Sequence, residues 1–324
     1  MNKRKGVRIT FIFTLAITLV LVFSLNSYSW QNPHLLMTPD DVEKILNDPN
    51  WVILDCRDPK DYEKEHIPNA ISIGSCMTAL RDGTERLLPP AELEKILGRA
   101  GIGNDKHVVV YTEAKKMPHG GIGFWALEYL GHDKVYFLDG GFDMWKAMGK
   151  PVTPVPTTLK PTTFKAKIVH SRLAITEEVA KIARGELIAR GERKDVQLLD
   201  CRTKAEFEGT DIRALRGGRI PNTTANIPHD LAYDRKTGVF FDPTYVESLY
   251  RGLDKNIRTI VVCQTGSCST ITYLILRLLG FKDVANYDSG WVVYANAAHM
   301  LYPVEREQWI NLEIFDRRLR EEVN

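Results

Sequence analysis

Thr259-Ile260-Val261-Val262-Cys263-Gln264-Thr265-Gly266-Ser267-Cys268-Ser269-Thr270 runs on into Ile271-Thr272-Tyr273-Leu274-Ile275-Leu276. Its opening is a β-branched run without a break, which predicts a buried strand. Apolar residues at 271, 274, 275, 278 and 279 fall on one face of a helix. Ser269 and Thr270 are candidate N-caps, and Gly266 permits backbone angles that other residues avoid. The stretch therefore reads as a strand, a tight loop that opens with a cysteine, and a helix.

This order has chemical consequences. A tight loop entering a helix aims several backbone N–H groups at one spot, and the helix dipole adds positive potential there. A Cys at the start of such a loop is biased toward thiolate, with a pKa lowered from about 8.5 into the range of roughly 3.5–7.5. An isolated Cys at a strand end would read as one more small buried apolar residue. The glycine and the capped helix downstream favour the reactive reading of Cys263.

The 324 residues suffice for two domains. With 44% hydrophobic and 26% charged residues, the composition is that of a folded globular chain. The formal charge of +2 is carried by the first residues, because Lys3, Arg4, Lys5 and Arg8 precede a segment with no acid. The remainder holds 39 basic against 41 acidic residues, a balance that does not suggest nucleic acid as a partner. Residues 1–29 resemble a secretory leader: a basic start, the 17-residue uncharged run Ile9 to Leu25, and the small-x-small site Ser27-Tyr28-Ser29. An uncleaved anchor is the alternative, and would be the chain's one link to a membrane. Either way the folded part is expected to be exported, to the periplasm if the source is bacterial. Five cysteines (56, 76, 201, 263 and 268) leave at least one unpaired within the chain. None has zinc spacing, and no metal or cofactor is expected.

Before the opening stretch, strands are expected at Trp51–Arg57, His107–Tyr111 and Val135–Leu138, with helices near residues 38–46, 90–97, 121–130 and ending near Met148. Residues 151–165, rich in Pro and Thr, read as an extended linker. The pattern then repeats. Leu199-Asp200-Cys201-Arg202 restates Leu54-Asp55-Cys56-Arg57, 145 residues later, and Arg219-Ile220-Pro221-Asn222 echoes His66-Ile67-Pro68-Asn69. Ser289-Gly290-Trp291 likewise echoes Gly140-Gly141-Phe142. Two similar α/β domains, over 38–150 and 166–304, imply parallel sheets flanked by helices. The charged tail 305–324 reads as an amphipathic helix.

Taken in order, these motifs resemble the tandem-domain rhodanese family, the thiosulfate and 3-mercaptopyruvate sulfurtransferases. Leu138-Asp139-Gly140-Gly141-Phe142-Asp143-Met144-Trp145, Cys263-x-x-Gly266 and Tyr287-Asp288-Ser289-Gly290-Trp291 complete the set. The resemblance implies a silent first domain and a catalytic second one. No Cys lies between Cys76 and Cys201, so the loop near Thr112–His119 has no thiol to offer. Cys263 would accept the outer sulfur of a donor, become a persulfide, and pass the sulfur to cyanide, a small thiol or a protein acceptor. Arg202 would bind the donor's anionic end, with Arg213 or Arg216 as a second arginine.

Departures from the family bear on the donor. Gln264-Thr265 stand where thiosulfate enzymes carry Arg-Lys and mercaptopyruvate enzymes carry Gly-Ser. Cys76 and Arg86 fall where the mercaptopyruvate enzymes supply an Asp and a His. Arg86 adds positive charge instead, which favours thiosulfate or a persulfide donor over mercaptopyruvate. Cys268 replaces the usual Thr or Arg. It is either a small loop residue or a thiol that resolves the Cys263 persulfide. A phosphatase is disfavoured, since the position six residues after Cys263 is Ser269 and not Arg. A thiol–disulfide oxidoreductase using Cys263 and Cys268, or a non-catalytic sulfur carrier, is the competing class.

Overall fold

The structure is a computed structural model and describes residues 29–189 and 196–310. The leader and most of the charged tail thus lie outside the described residues. Among those described, no helix is long and apolar enough to cross a membrane.

The strands, in chain order, are β1 (Leu36–Met37), β2 (Trp51–Asp55), β3 (Ala70–Ser72), β4 (His107–Tyr111), β5 (Val135–Leu138), β6 (Val196–Asp200), β7 (Arg216–Arg219), β8 (Ala225–Asn226), β9 (Arg258–Val262), β10 (Val284–Asn286) and β11 (Glu305–Trp309). The first half forms a five-stranded sheet ordered β1-β5-β4-β2-β3, and the second a four-stranded sheet ordered β10-β9-β6-β8. Every neighbouring pair in both is parallel. Strands covered on both faces need continuous apolar runs. Val108-Val109-Val110 and Ile260-Val261-Val262 supply them at the centres, and all six are fully buried.

The halves meet through two helices. Met117–Tyr129 follows β4, and Cys268–Leu278 follows β9, so they are counterparts in the repeat. The first begins earlier than the expected residue 121 because Pro118 is tolerated in a first turn. A Cβ on Gly121 would lie 2.4 Å from Thr270 Oγ1 and 2.8 Å from Ile271 Cδ1, so only glycine permits this approach. The seam also holds charge. Arg277 pairs with Glu128 at 3.0 Å, and the Tyr273 hydroxyl donates to the same carboxylate.

Two elements differ from expectation. Residues 305–309 are a strand, not the start of a helix: β11 pairs antiparallel with β7. The backbone of β7, Arg-Gly-Gly-Arg, offers an open edge, and pairing overrides the weak helical pattern of the charged segment. The Pro/Thr segment is extended, yet it is pinned to the first domain. Thr162 N donates to Gly98 O at 2.9 Å, Thr157 N to the Tyr62 hydroxyl at 3.0 Å, and His66 Nε2 pairs with Val155 O at 3.0 Å.

Candidate active site

Cys263 follows the last residue of β9, and the loop it opens ends at Ser267, the N-cap of the helix Cys268–Leu278. Five consecutive carbonyls along this loop are turned outward and bound. Cys263 O accepts from Trp291 N at 2.8 Å and Gln264 O from Val292 N at 2.9 Å. Thr265 O accepts from Arg81 Nη2 at 2.5 Å, Gly266 O from Asn286 Nδ2 at 3.0 Å, and Ser267 O from Thr270 Oγ1 at 2.6 Å. In a tight loop, carbonyls drawn outward leave the amides facing inward. Among the described residues, none of the amides from Gln264 to Ser267 donates to a backbone carbonyl. Gly266 makes the bend, with φ at +77°, where a Cβ would strike the carbonyl oxygen of Asp288.

Cys263 is 2% exposed, and Ser269 Oγ donates to its Sγ at 3.3 Å. Burial opposes ionisation, but hydrogen bonds from the Cys201 and Cys268 thiols and from the Ser269 hydroxyl and amide outweigh it. Together they hold Cys263 well below the ordinary thiol value. Cys201 and Cys268 are pushed up in turn, Cys201 chiefly by burial and Cys268 chiefly by its bond to Cys263. The site therefore holds one thiolate between two thiols that keep their protons. This suits a nucleophile that attacks a sulfur atom and then carries a charged persulfide.

A rhodanese-like domain model matches residues 38–148 and again residues 183–297. The chain belongs to the rhodanese family. A Mycobacterium leprae protein named as a thiosulfate sulfurtransferase is 30% identical over 275 residues, covering 81% of this chain and 95% of that protein. A Saccharopolyspora erythraea protein of the same name is 30% identical over 288 residues, covering 85% and 97%. The sulfur carrier protein TtuD of Thermus thermophilus is 28% identical over 284 residues, covering 82% and 95%. Among solved structures, the Escherichia coli 3-mercaptopyruvate sulfotransferase SseA superposes with a TM-score of 0.68 at 23% identity, over 79% of this chain and 98% of that one. At that identity the likeness is one of fold.

In this rhodanese the expected arginines do not all face the sulfur. Arg202 is a correction. Its Nε and Nη2 bind the Asp200 carboxylate, Nη2 also donates to Gly218 O at 2.9 Å, and the guanidinium lies 4.2 Å from the centre of the Trp291 ring. The first domain repeats this lock although the loop after β4 carries no cysteine. Arg57 binds Asp55 and Glu65 O, and lies 3.8 Å over Phe142. The Asp-Cys-Arg motif thus braces the strand end against the following aromatic helix in both halves.

Arg216 is a second correction. It is buried and donates to the carbonyls of Ala295, Tyr294, Ala297 and Tyr302 and to Glu307, fastening β7 to the chain's end. Arg213 does lie beside the loop. Its carbonyl accepts from Gln264 Nε2 at 2.8 Å, and its exposed guanidinium pairs with Glu206 at 3.2 Å. Arg86 is exposed on a hairpin turn of the first domain whose next residue, Leu87, donates its amide to Asp288 at 2.6 Å. Cys76 is buried against Cys56 inside the first domain. The Thr265 and Ser267 hydroxyls bond each other at 3.1 Å.

Four contributors were not anticipated. Arg81, from the first domain, reaches Thr265 O and lies 3.4 Å from Asp288, with its side chain 1% exposed. Asp288 is pushed up to about 6 by burial, against the pull of Arg81. Cys201 touches Cys263 because the register pairs Asp200 with Val262. His229, whose amide donates to Cys201 O at 3.2 Å, is held below the ordinary imidazole value by burial, against the pull of the Cys263 charge. The sequence signalled two of these by motif alone, Cys201 through the repeated Asp-Cys-Arg and Asp288 through Tyr287-Asp288-Ser289-Gly290-Trp291, without showing the role of either.

Proposed function

We propose that this protein transfers sulfane sulfur from thiosulfate, or a related anionic or persulfide donor, to cyanide or a thiol through a Cys263 persulfide. The observation that carries the reading is the buried Cys263 thiolate, bonded by the Ser269 amide and hydroxyl at the start of an 11-residue helix. The thiolate attacks the outer sulfur of thiosulfate, the sulfur–sulfur bond breaks, and sulfite leaves with the electron pair. The loop amides then carry the persulfide's charge until an acceptor attacks its outer sulfur. Arg213 and Arg86, at the rim, supply the positive field for an anionic donor. The absence of an Asp–His pair at Cys76 and Arg86 argues against mercaptopyruvate. A protein acceptor is a second reading, favoured by the likeness to a protein named as a sulfur carrier.

A cyanide-coupled assay tests this. Thiocyanate forms from thiosulfate faster than from 3-mercaptopyruvate, and Cys263→Ser abolishes both. Turnover by Cys263→Ser, or a preference for mercaptopyruvate, overturns the reading. We also propose export, directed by residues 1–29. Expression of the full chain followed by fractionation checks it: recovery only in the cytosol refutes export.

A further inference from the structure

Three thiols at one point exceed what sulfur transfer requires, since one suffices to carry a persulfide. We propose that Cys268 attacks the loaded Cys263, closing a Cys263–Cys268 disulfide and releasing the carried sulfur as hydrosulfide, which adds a thiol-dependent sulfide-releasing activity to the site. The proposal rests on the persulfide reading above.

The geometry favours Cys268 over Cys201. Ser269 Oγ lies 3.3 Å from Cys263 Sγ, which brings the first turn of the helix, and Cys268 with it, to the sulfur, and both thiols bear on the Cys263 charge. Cys201 is fully buried at a strand end, with its amide tied to Val262 O at 2.8 Å and its carbonyl accepting from His229. Cys201 is fully enclosed, so a reductant in solution cannot reach a bond made to it. Cys268 is only partly buried and sits at the first position of the helix, on the same loop as its partner. An external reductant can therefore reach it.

The step balances. Cys268–SH attacks the Sγ of Cys263–S–S⁻, the bond to the outer sulfur breaks, and that sulfur leaves with the electron pair. It takes the thiol's proton and departs as HS⁻. The resulting disulfide is reset by two equivalents of a small thiol, or one dithiol, which are oxidised in turn. From thiosulfate the whole cycle yields sulfite, hydrogen sulfide and the oxidised reductant. Cys268 hands its proton to the charged outer sulfur and attacks Sγ as the thiolate, so the leaving sulfur needs no other acid.

The test loads the full-length protein with thiosulfate without acceptor, removes the excess, and measures persulfide by intact mass and free sulfide colorimetrically. Wild type is expected to release sulfide per loaded persulfide at least about tenfold faster than Cys268→Ser. Thiol-blocked peptide mapping of the spent wild type is expected to show a 263–268 disulfide. Equal release per persulfide by the variant, a 263–201 link, or spent protein without any disulfide overturns the proposal. If wild type gains no sulfur at all and makes no thiocyanate, the persulfide reading itself fails, and this proposal with it.

Discussion

Arg81 offers the sharpest test of how the first domain serves the site. In Arg81→Met a chain of similar length loses the guanidinium that binds Thr265 O and faces Asp288. Two terms follow. The lost bond to Thr265 O costs about 1 kcal/mol at any pH. The lost partner of Asp288 costs more, but only where that carboxylate is ionised. Asp288 titrates at about 6 in the folded protein against 3.8 for an unperturbed aspartate. Near pH 5 it is mostly protonated when folded, so the pair contributes little. Near pH 8 the charge must stay buried alone or bind a proton, and breaking a buried pair costs about 3 kcal/mol or more. At roughly 2–4 °C per kcal/mol, the two losses together should lower the midpoint by about 8–16 °C near pH 8, against only about 2–4 °C near pH 5. Calorimetry at the two pH values reads this directly. Freed from Arg81, the Thr265 carbonyl can also turn toward the sulfur, so the pH midpoint of Cys263 alkylation should rise, with one unit equal to about 1.4 kcal/mol. An equal loss of stability at both pH values, with an unshifted alkylation curve, would refute the reasoning.

Arg202→Ala and Arg57→Ala should each cost about 3–5 kcal/mol in denaturant unfolding, because each orphans a buried aspartate; a stable Arg202→Ala with a raised KM for donor would restore the donor-binding role. Gly121→Ala should destabilise by about 1–3 kcal/mol, as its Cβ would overlap Thr270 and Ile271 across the domain seam; an unchanged unfolding curve would contradict that packing. Half-buried Asp139 accepts from Phe240 N across the seam and is pushed up to about 6 by burial. Its stabilising contribution is present below about pH 4 and lost as pH rises through 6. Asp139→Asn should therefore gain about 1–2 kcal/mol near pH 8 and nothing near pH 4, after allowing for partial solvation; a gain of equal size at both would show that charge is not the cause.

The duplicated architecture was legible because each half announces itself twice, through a β-branched strand and through Asp-Cys-Arg. Cys263 was legible because strand, glycine and helix lie next to it in the chain. Arg202 and Arg216 were misassigned because a motif says which residue stands beside a strand, not which way its side chain turns. Asp200, two positions from Arg202, captures it before it can reach the sulfur. Arg81 was invisible for the opposite reason. It sits in an irregular turn, 184 positions from the carbonyl it binds, and only the packing of the halves brings them together. Residues 305–309 were misread because a short charged segment has little pattern of its own and takes the conformation of the edge it meets.

The loop's outward-bound carbonyls separate two kinds of inheritance. Anion stabilisation there is written in main chain, which every residue possesses, whereas the side chains of Gln264, Thr265 and Ser267 bond Arg213 O and one another. Substitution at those three places can thus remodel the surface of the loop while its main-chain geometry persists. Gly266 alone has no such freedom, because its neighbours occupy the space that any side chain would need.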